Sequence, residues 1–353
     1  MNLLSLKKIT LNLFSLEIIL KSNQLHYFSY DSVESKKIII INKKRNMKKD
    51  FFLFLTLSCI SFVNSQETLD ILTLSGHFGT PQPFNQESTY NGKTSETGAM
   101  LNLVVPIVLN EKQIWYNSLN YMFWNVNNDI IMPDNIANTI SIHGLILRTG
   151  LIQKLSNGNS IQAVFSPRLM TDFKNVDAKH FQLGGTFIYE KVYHKALKIG
   201  YGLLYNQETF GINIVPLVNL EWKISEKWFM SGLLPIYSKI KYQVNEKLNL
   251  GMHHFGLVTS YRLGDEAYQN DYIERRSIDL GLFTRYHITD EIHIEGRYGY
   301  SFGRSYAQYN QNEKIDLALP LTTIGDNRSR LNENSNFNNG AYANIRLVYA
   351  VKL

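Results

Sequence analysis

Two consecutive stretches, residues 278–288 and 292–302, alternate between apolar and polar residues on either side of Thr289-Asp290-Glu291. In the first, Ile278, Leu280, Leu282, Thr284, Tyr286 and Ile288 share one face, and Asp279, Gly281, Phe283, Arg285 and His287 the other. In the second, Ile292, Ile294, Gly296, Tyr298, Tyr300 and Phe302 oppose His293, Glu295, Arg297, Gly299 and Ser301. A period of two belongs to a β-strand. A soluble sandwich would bury the apolar face against a second sheet. Here the opposite face carries Arg, Glu, His and Asp in register over about ten residues per strand, the length a tilted strand needs to cross a membrane. The hairpin therefore reads as lipid-facing outside and polar inside.

The same grammar fills the chain from residue 66 onward. Strand candidates fall at 69–78, 98–109, 114–126, 139–155, 160–173, 181–192, 197–207, 212–224, 228–234, 236–244, 248–263 and 341–353, in addition to the opening hairpin. Tight connections at 110–113, 156–159, 193–195, 225–227, 245–247 and 289–291 alternate with longer or more variable ones, the longest at 305–339. Short turns at one end and longer loops at the other are the pattern of an outer-membrane barrel, with the short turns periplasmic. The fold class is thus all-β, a transmembrane antiparallel β-barrel of about 12–14 strands. The corner at Leu234-Pro235-Ile236 decides between the two counts. Trp115, Trp124, Trp222 and Trp228 lie near strand ends, where interfacial girdles of aromatics sit. At His253-His254 the alternation of strand 248–263 changes phase, which reads as a bulge.

A second beginning lies inside the sequence. Met47-Lys48-Lys49-Asp50 precedes an apolar run at 51–63 and then Asn64-Ser65-Gln66, the form of a secretory signal cleaved after Ser65. Residues 1–46 read as an upstream extension outside the working protein, 47–65 as the signal and 66–353 as the barrel. Residues 1–65 hold 10 Lys+Arg and 4 Asp+Glu, and the whole chain 36 and 30, so residues 66–353 hold 26 of each. The mature part is neutral, and no basic stripe points to nucleic acid. The single cysteine, Cys59, lies in the signal, so a mature disulfide or thiolate metal site is excluded. Acylation of Cys59 is disfavoured, because Thr56 stands at the lipobox leucine position and Ile60-Ser61-Phe62-Val63 continues the apolar core.

The corner Gly232-Leu233-Leu234-Pro235, the turn Tyr242-Gln243-Val244-Asn245-Glu246-Lys247-Leu248 and the closing run Tyr342-Ala343-Asn344-Ile345-Arg346 resemble those of uncharacterised outer-membrane β-barrel families of Bacteroidota. The resemblance spans residues 66–353 and implies a barrel in the cell outer membrane of a Gram-negative envelope. It supplies no reaction or ligand. Leu353 departs from the terminal Phe or Trp common in such barrels.

The chemistry-bearing candidates are lumenal. Arg285, Arg297, Glu295, Asp279 and Arg346 project inward, as do Lys198, Glu190, Glu221 and Lys223, and they form either a charge-lined path or an internal salt-bridge network. His287 and His293 face each other across the turn beside Glu295, and are expected as solvated lumen groups, with no metal site. Ser141 and His143 share a face, the germ of a lipid hydrolase, yet no Gly-x-Ser-x-Gly elbow or placed acid accompanies them. The acids at 265–274 and the asparagines at 327–339 lack the order of a calcium loop. No cofactor and no catalytic set is expected. The expected role is passive passage of small polar solutes, with a structural or adhesive surface barrel and a membrane-embedded lipid hydrolase as alternatives. The expected partners are the lipid bilayer and the barrel-assembly machinery. Intact-mass measurement of the membrane-extracted protein should give a chain starting near Gln66; a mass that retains Lys7 or Lys8 would refute the assigned start.

Overall fold

The computed structural model describes residues 68–83, 92–129, 132–320, 322–331 and 338–352, all within the unit Ser65–Leu353. The signal, the upstream extension and Leu353 lie outside these residues. Fourteen antiparallel strands close into a ring. They are β1 (Thr68–Gly79), β2 (Lys93–Val104 continued by Ile107–Asn110), β3 (Gln113–Asn128), β4 (Ile140–Lys154) and β5 (Ser160–Phe165 continued by Arg168–Thr171). There follow β6 (Gly184–His194), β7 (Leu197–Glu208), β8 (Gly211–Lys223), β9 (Trp228–Leu234) and β10 (Tyr237–Gln243). The ring ends with β11 (Leu248–Arg262), β12 (Tyr272–His287), β13 (Ile292–Tyr309) and β14 (Gly340–Lys352). The breaks in β2 and β5 fall at Pro106 and Pro167, where a ladder N–H is missing.

Closure runs from Thr68 opposite Lys352 to Gly79 opposite Tyr342, with a bulge between Asp70 and Leu72. A ring without edges is the sheet form that satisfies every backbone group in hydrocarbon. The alternation then sorts the side chains. Leu282, Tyr298 and Ile345 face outward at 62%, 66% and 62% exposure, while Asp279, Phe283, His293 and Ser301 are buried inside. A belt of apolar side chains around the outside is what a bilayer covers.

The connections at 111–112, 155–159, 195–196, 224–227, 244–247 and 288–291 all lie at the end that carries Thr68 and Lys352. The corner at Pro235 is a true reversal, since β9 and β10 pair from Trp228 opposite Tyr242 to Leu233 opposite Tyr237. That fixes the count at the upper end of the expected range. β9 and β10 are only 7 residues each, so on that side β11 is paired up to Gly256, whose N–H reaches Ile236 O, and beyond it only by a parallel bridge from Arg262 to Thr171 of β5. There the carboxylate of Glu208 and the amide of Gln182 take over. Ser260 donates its backbone N–H to Glu208 Oε2 at 2.9 Å, and Gln182 Nε2 donates to Ser260 O at 3.1 Å.

Three expectations are corrected. β11 pairs with β12 from Leu248 to Arg262 without a register shift, so His253-His254 holds no bulge. The pattern looked broken because the inward face itself turns apolar at Phe255, Leu257 and Tyr261. Trp124 belongs to no girdle: it points inward and is fully buried. Residues 305–309 continue β13, and the loop after it carries a small hairpin, Leu317–Leu319 with Thr322–Ile324.

Gly281 and Gly299 face each other on β12 and β13, where the ring of Tyr342 crosses. A Cβ on Gly299 would stand 2.8 Å from Tyr342 Oη and 2.2 Å from Leu280 O, whereas one on Gly296 would meet nothing within 4 Å. Gly299→Val should therefore cut the fraction of heat-modifiable, folded barrel in SDS gels severalfold, and Gly296→Val should leave it unchanged. Equal folding of the two variants would refute the crowding.

Candidate functional site

The lumen divides into two regions along the barrel axis. Toward the long loops it is filled. Trp124, Ile142, Met170, Tyr261, Ile273 and Tyr306 are buried to the last percent inside the ring. The guanidinium of Arg275 lies 3.7 Å above the Trp124 ring, and Glu96 accepts from Arg275 at 3.2 Å and Arg304 at 3.1 Å. Gln308 pins the β3–β4 loop over this plug: its Oε1 accepts from Ala137 N at 2.9 Å and its Nε2 donates to Asn135 O at 2.8 Å. A fully desolvated ion pair of this kind holds only because each partner keeps the other satisfied.

Toward the short turns the interior opens. Tyr237, which faces inward on β10, is 47% exposed, and the inward pair Lys198 and Glu221, 2.9 Å apart, are 41% and 43% exposed. Inward side chains this accessible border unfilled space, so this half of the lumen is a vestibule and not a packed core. Its wall carries the densest charge cluster in the barrel, centred on Glu295, whose side chain is 0% exposed. Glu295 Oε2 accepts from Arg285 Nε at 2.7 Å and Lys239 Nζ at 2.6 Å. Glu295 Oε1 accepts from Arg297 Nε at 2.7 Å and Arg346 Nη1 at 2.8 Å. Arg285 also grips Asp70 through two bonds of 3.0 and 2.8 Å.

β-strand pairing builds this hub. Arg285, Glu295 and Arg346 occupy facing positions on three adjacent strands, and Lys239 reaches from β10 across β11 and β12. Four cations against two carboxylates, Glu295 and Asp70, leave a formal excess of two positive charges. Such a surplus raises the local concentration of anions. Of the residues singled out from the sequence, Arg285, Arg297, Glu295 and Arg346 come together. Asp279 does not: it accepts from Ser301 Oγ at 2.6 Å, nearer the packed half. Asp70 and Lys239 were not anticipated. Asp70 is turned inward at the β1 bulge, and a bulge is what erases the period that would reveal it; Lys239 does alternate inward, between Tyr237 and Lys241.

The His287 and His293 rings lie with centroids 4.1 Å apart, tilted by 48°, and His287 meets Asn249 Nδ2 at 2.8 Å. Among the described residues no group of three or more His, Cys, Asp or Glu is gathered to hold a metal ion. Lys174 Nζ, from the β5–β6 connection, lies 2.5 Å from Asp265 in the β11–β12 loop and holds that carboxyl below the usual carboxylate range. Ser141 and His143 do share a face, and it is the outer one. The His143 ring lies against Phe123 and Phe173, and its Nδ1 is 2.9 Å from Tyr121 Oη.

The sequence profile of a family described as a domain of unknown function, DUF6268, matches residues 74–349. No curated protein is detectably similar in sequence. Among solved structures, an outer membrane channel from Pseudomonas putida F1 is similar at 11% identity and a TM-score of 0.40, over 83% of this chain and 100% of that one. The NanC porin is similar at 10% identity and a TM-score of 0.35, over 79% and 100%. The TodX monoaromatic hydrocarbon channel follows at 9% and 0.34, over 82% and 91%. Likeness at this level carries nothing about solute or mechanism.

Removing one partner from a buried ion cluster strands the others without compensation. Glu295→Gln should lower the unfolding free energy of the barrel in lipid vesicles by about 3–5 kcal/mol, and Lys239→Met by less, since Glu295 keeps three cations. Urea titration read by gel mobility measures both, and a Glu295→Gln variant as stable as the parent would show the hub to be dispensable.

Proposed function

We propose that this chain, which belongs to the DUF6268 family, is an outer-membrane barrel that draws small polar anions into its vestibule and passes them when the loop-side plug yields. The observation that carries this reading is the surplus of positive charge around Glu295 in the open half of the lumen. A fixed cation surplus in a narrow, low-dielectric passage favours anions over cations and neutral solutes. The apolar outer belt and the segregation of short turns to the end with both strand termini support insertion with the turns periplasmic and residues 310–339 outside the cell. The Bacteroidota-like turn and strand motifs, and a signal that starts at Met47, support delivery to the outer membrane by way of the barrel-assembly machinery.

A second reading has its own support. The packed half, with Trp124, Tyr261 and Tyr306 fully buried, suits a surface barrel that never conducts. The hydrolase reading has the least, because His143 turns to Tyr121 on the outer face. Arg285, Arg297, Arg346 and Glu295 are the residues on which selectivity is proposed to rest.

Planar-bilayer recording separates the two readings. The purified barrel should be mostly closed, and Gln308→Ala, which frees the β3–β4 loop, should raise the open fraction and give an anion-preferring conductance. Arg297→Ala and Arg346→Ala in that background should each lower the preference. A barrel that stays silent after release of the plug would remove the transport reading and leave the surface role.

A further inference from the structure

Most lumen arginines have a carboxylate partner. Arg285, Arg297 and Arg346 share Glu295, Arg275 and Arg304 share Glu96, and Arg168 Nη2 donates to Glu208 at 3.0 Å. Arg148 differs. It lies on the inward face of β4, directly opposite Ser118 on β3, and it makes no hydrogen bond or ion pair with any described residue. The ionisable groups within electrostatic range are Tyr116, Arg168 and Tyr237, with no carboxylate among them.

The surroundings repeat the deficiency. Ser118 is 2% exposed, and its hydroxyl has no hydrogen-bond partner. Arg168 sits opposite Ile146 and so diagonal to Arg148 on the same face; its Nε is buried and likewise without a partner. Tyr237 lies on the far wall, because β4 and β10 are six places apart in a ring of fourteen. Ile146, the inward residue before Arg148, belongs to the packed core. Arg148 therefore stands at the closed end of the vestibule, where a visitor from the open mouth would stop. Donors from β3, β4 and β5 share this level of the lumen, and among the described residues no carboxylate is supplied to Arg148. A guanidinium fork with a neighbouring hydroxyl matches the two or three oxygens of an oxyanion, and a partly buried charge with no partner is costly until one arrives.

We propose that Arg148 and Ser118, backed by Arg168, form a binding site for a small oxyanion, a carboxylate or a phosphate, at the base of the vestibule. The proposal rests on the reading of the lumen as anion-attracting and adds the place where the anion is held. Ser118 and Arg148 specify the oxygen geometry, and the Glu295 hub supplies the long-range attraction.

Fluorine NMR of the purified barrel in detergent tests the site with two probes, monofluorophosphate for the phosphate class and trifluoroacetate for the carboxylate class. Saturable line broadening of at least one probe is expected. Arg148→Met should weaken its affinity at least roughly ten-fold and Ser118→Ala roughly five-fold, with Arg148→Lys in between because it keeps the charge and loses the fork. Unchanged broadening in Arg148→Met, or no saturable broadening of either probe by the parent, would overturn the site. Should Arg148→Met fail to show heat-modifiable mobility, unchanged affinity in both Ser118→Ala and Arg148→Lys would do the same. The two readings fail separately: a silent bilayer with intact, Arg148-dependent binding removes passage and keeps the site. Anion-preferring conductance without Arg148-dependent binding removes the site alone.

Discussion

Everything in this molecule follows from the requirement that no backbone N–H or C=O be left unpaired against hydrocarbon. The chain meets it by hydrogen-bonding β1 to β14, and closure then dictates where each residue type goes. Once the ring is shut, successive side chains alternate between the outer face and the lumen, so the ionic groups on the inward face are driven into a confined interior. There they are costly unless paired. The Glu295 hub and the Glu96 cluster are the responses, and both are assembled from residues far apart in sequence that the ring brings to one level.

The two halves of the interior solve the filling problem differently. At the loop end, side chains pack as they would in a soluble core, and the few charges there are desolvated in tight pairs or stacked on aromatic faces. At the turn end, long basic side chains line a wet space. Charge is balanced in the packed half around Glu208 and unbalanced in the vestibule around Glu295. The unbalanced half is the one with access to solvent, where mobile anions complete what the protein omits.

Much of the fold was legible because membrane strands have a stark grammar. Residues 278–302 display it without interruption, and all six tight turns fall at one end. The interior was legible only in part. Where the inward face is polar, as at Arg285 and Glu295, alternation gives it away. Where the inward face is itself apolar, as at Trp124 and at Phe255 to Tyr261, alternation disappears, which produced a false bulge and a misplaced girdle residue. Asp70 was hidden for the opposite reason, since a real bulge shifts the period. Same-face logic grouped Ser141 with His143 correctly, although the neighbouring strands were needed to show that this face looks outward. The partnerless state of Arg148 is a property of what its neighbours lack, and no pattern along one strand can report it.

The shortness of β9 and β10 bears on the membrane as much as on the protein. Seven residues per strand at ~3.3 Å each, tilted by ~40°, span only ~18 Å against an apolar band of ~25 Å. One side of the cylinder is therefore lower than the rest. In a bilayer, lipids beside β9 and β10 would have to shorten or tilt their chains to meet it, while those beside β12 and β13 would not. A bilayer fitted around this barrel would be thinned at that one sector by hydrophobic mismatch.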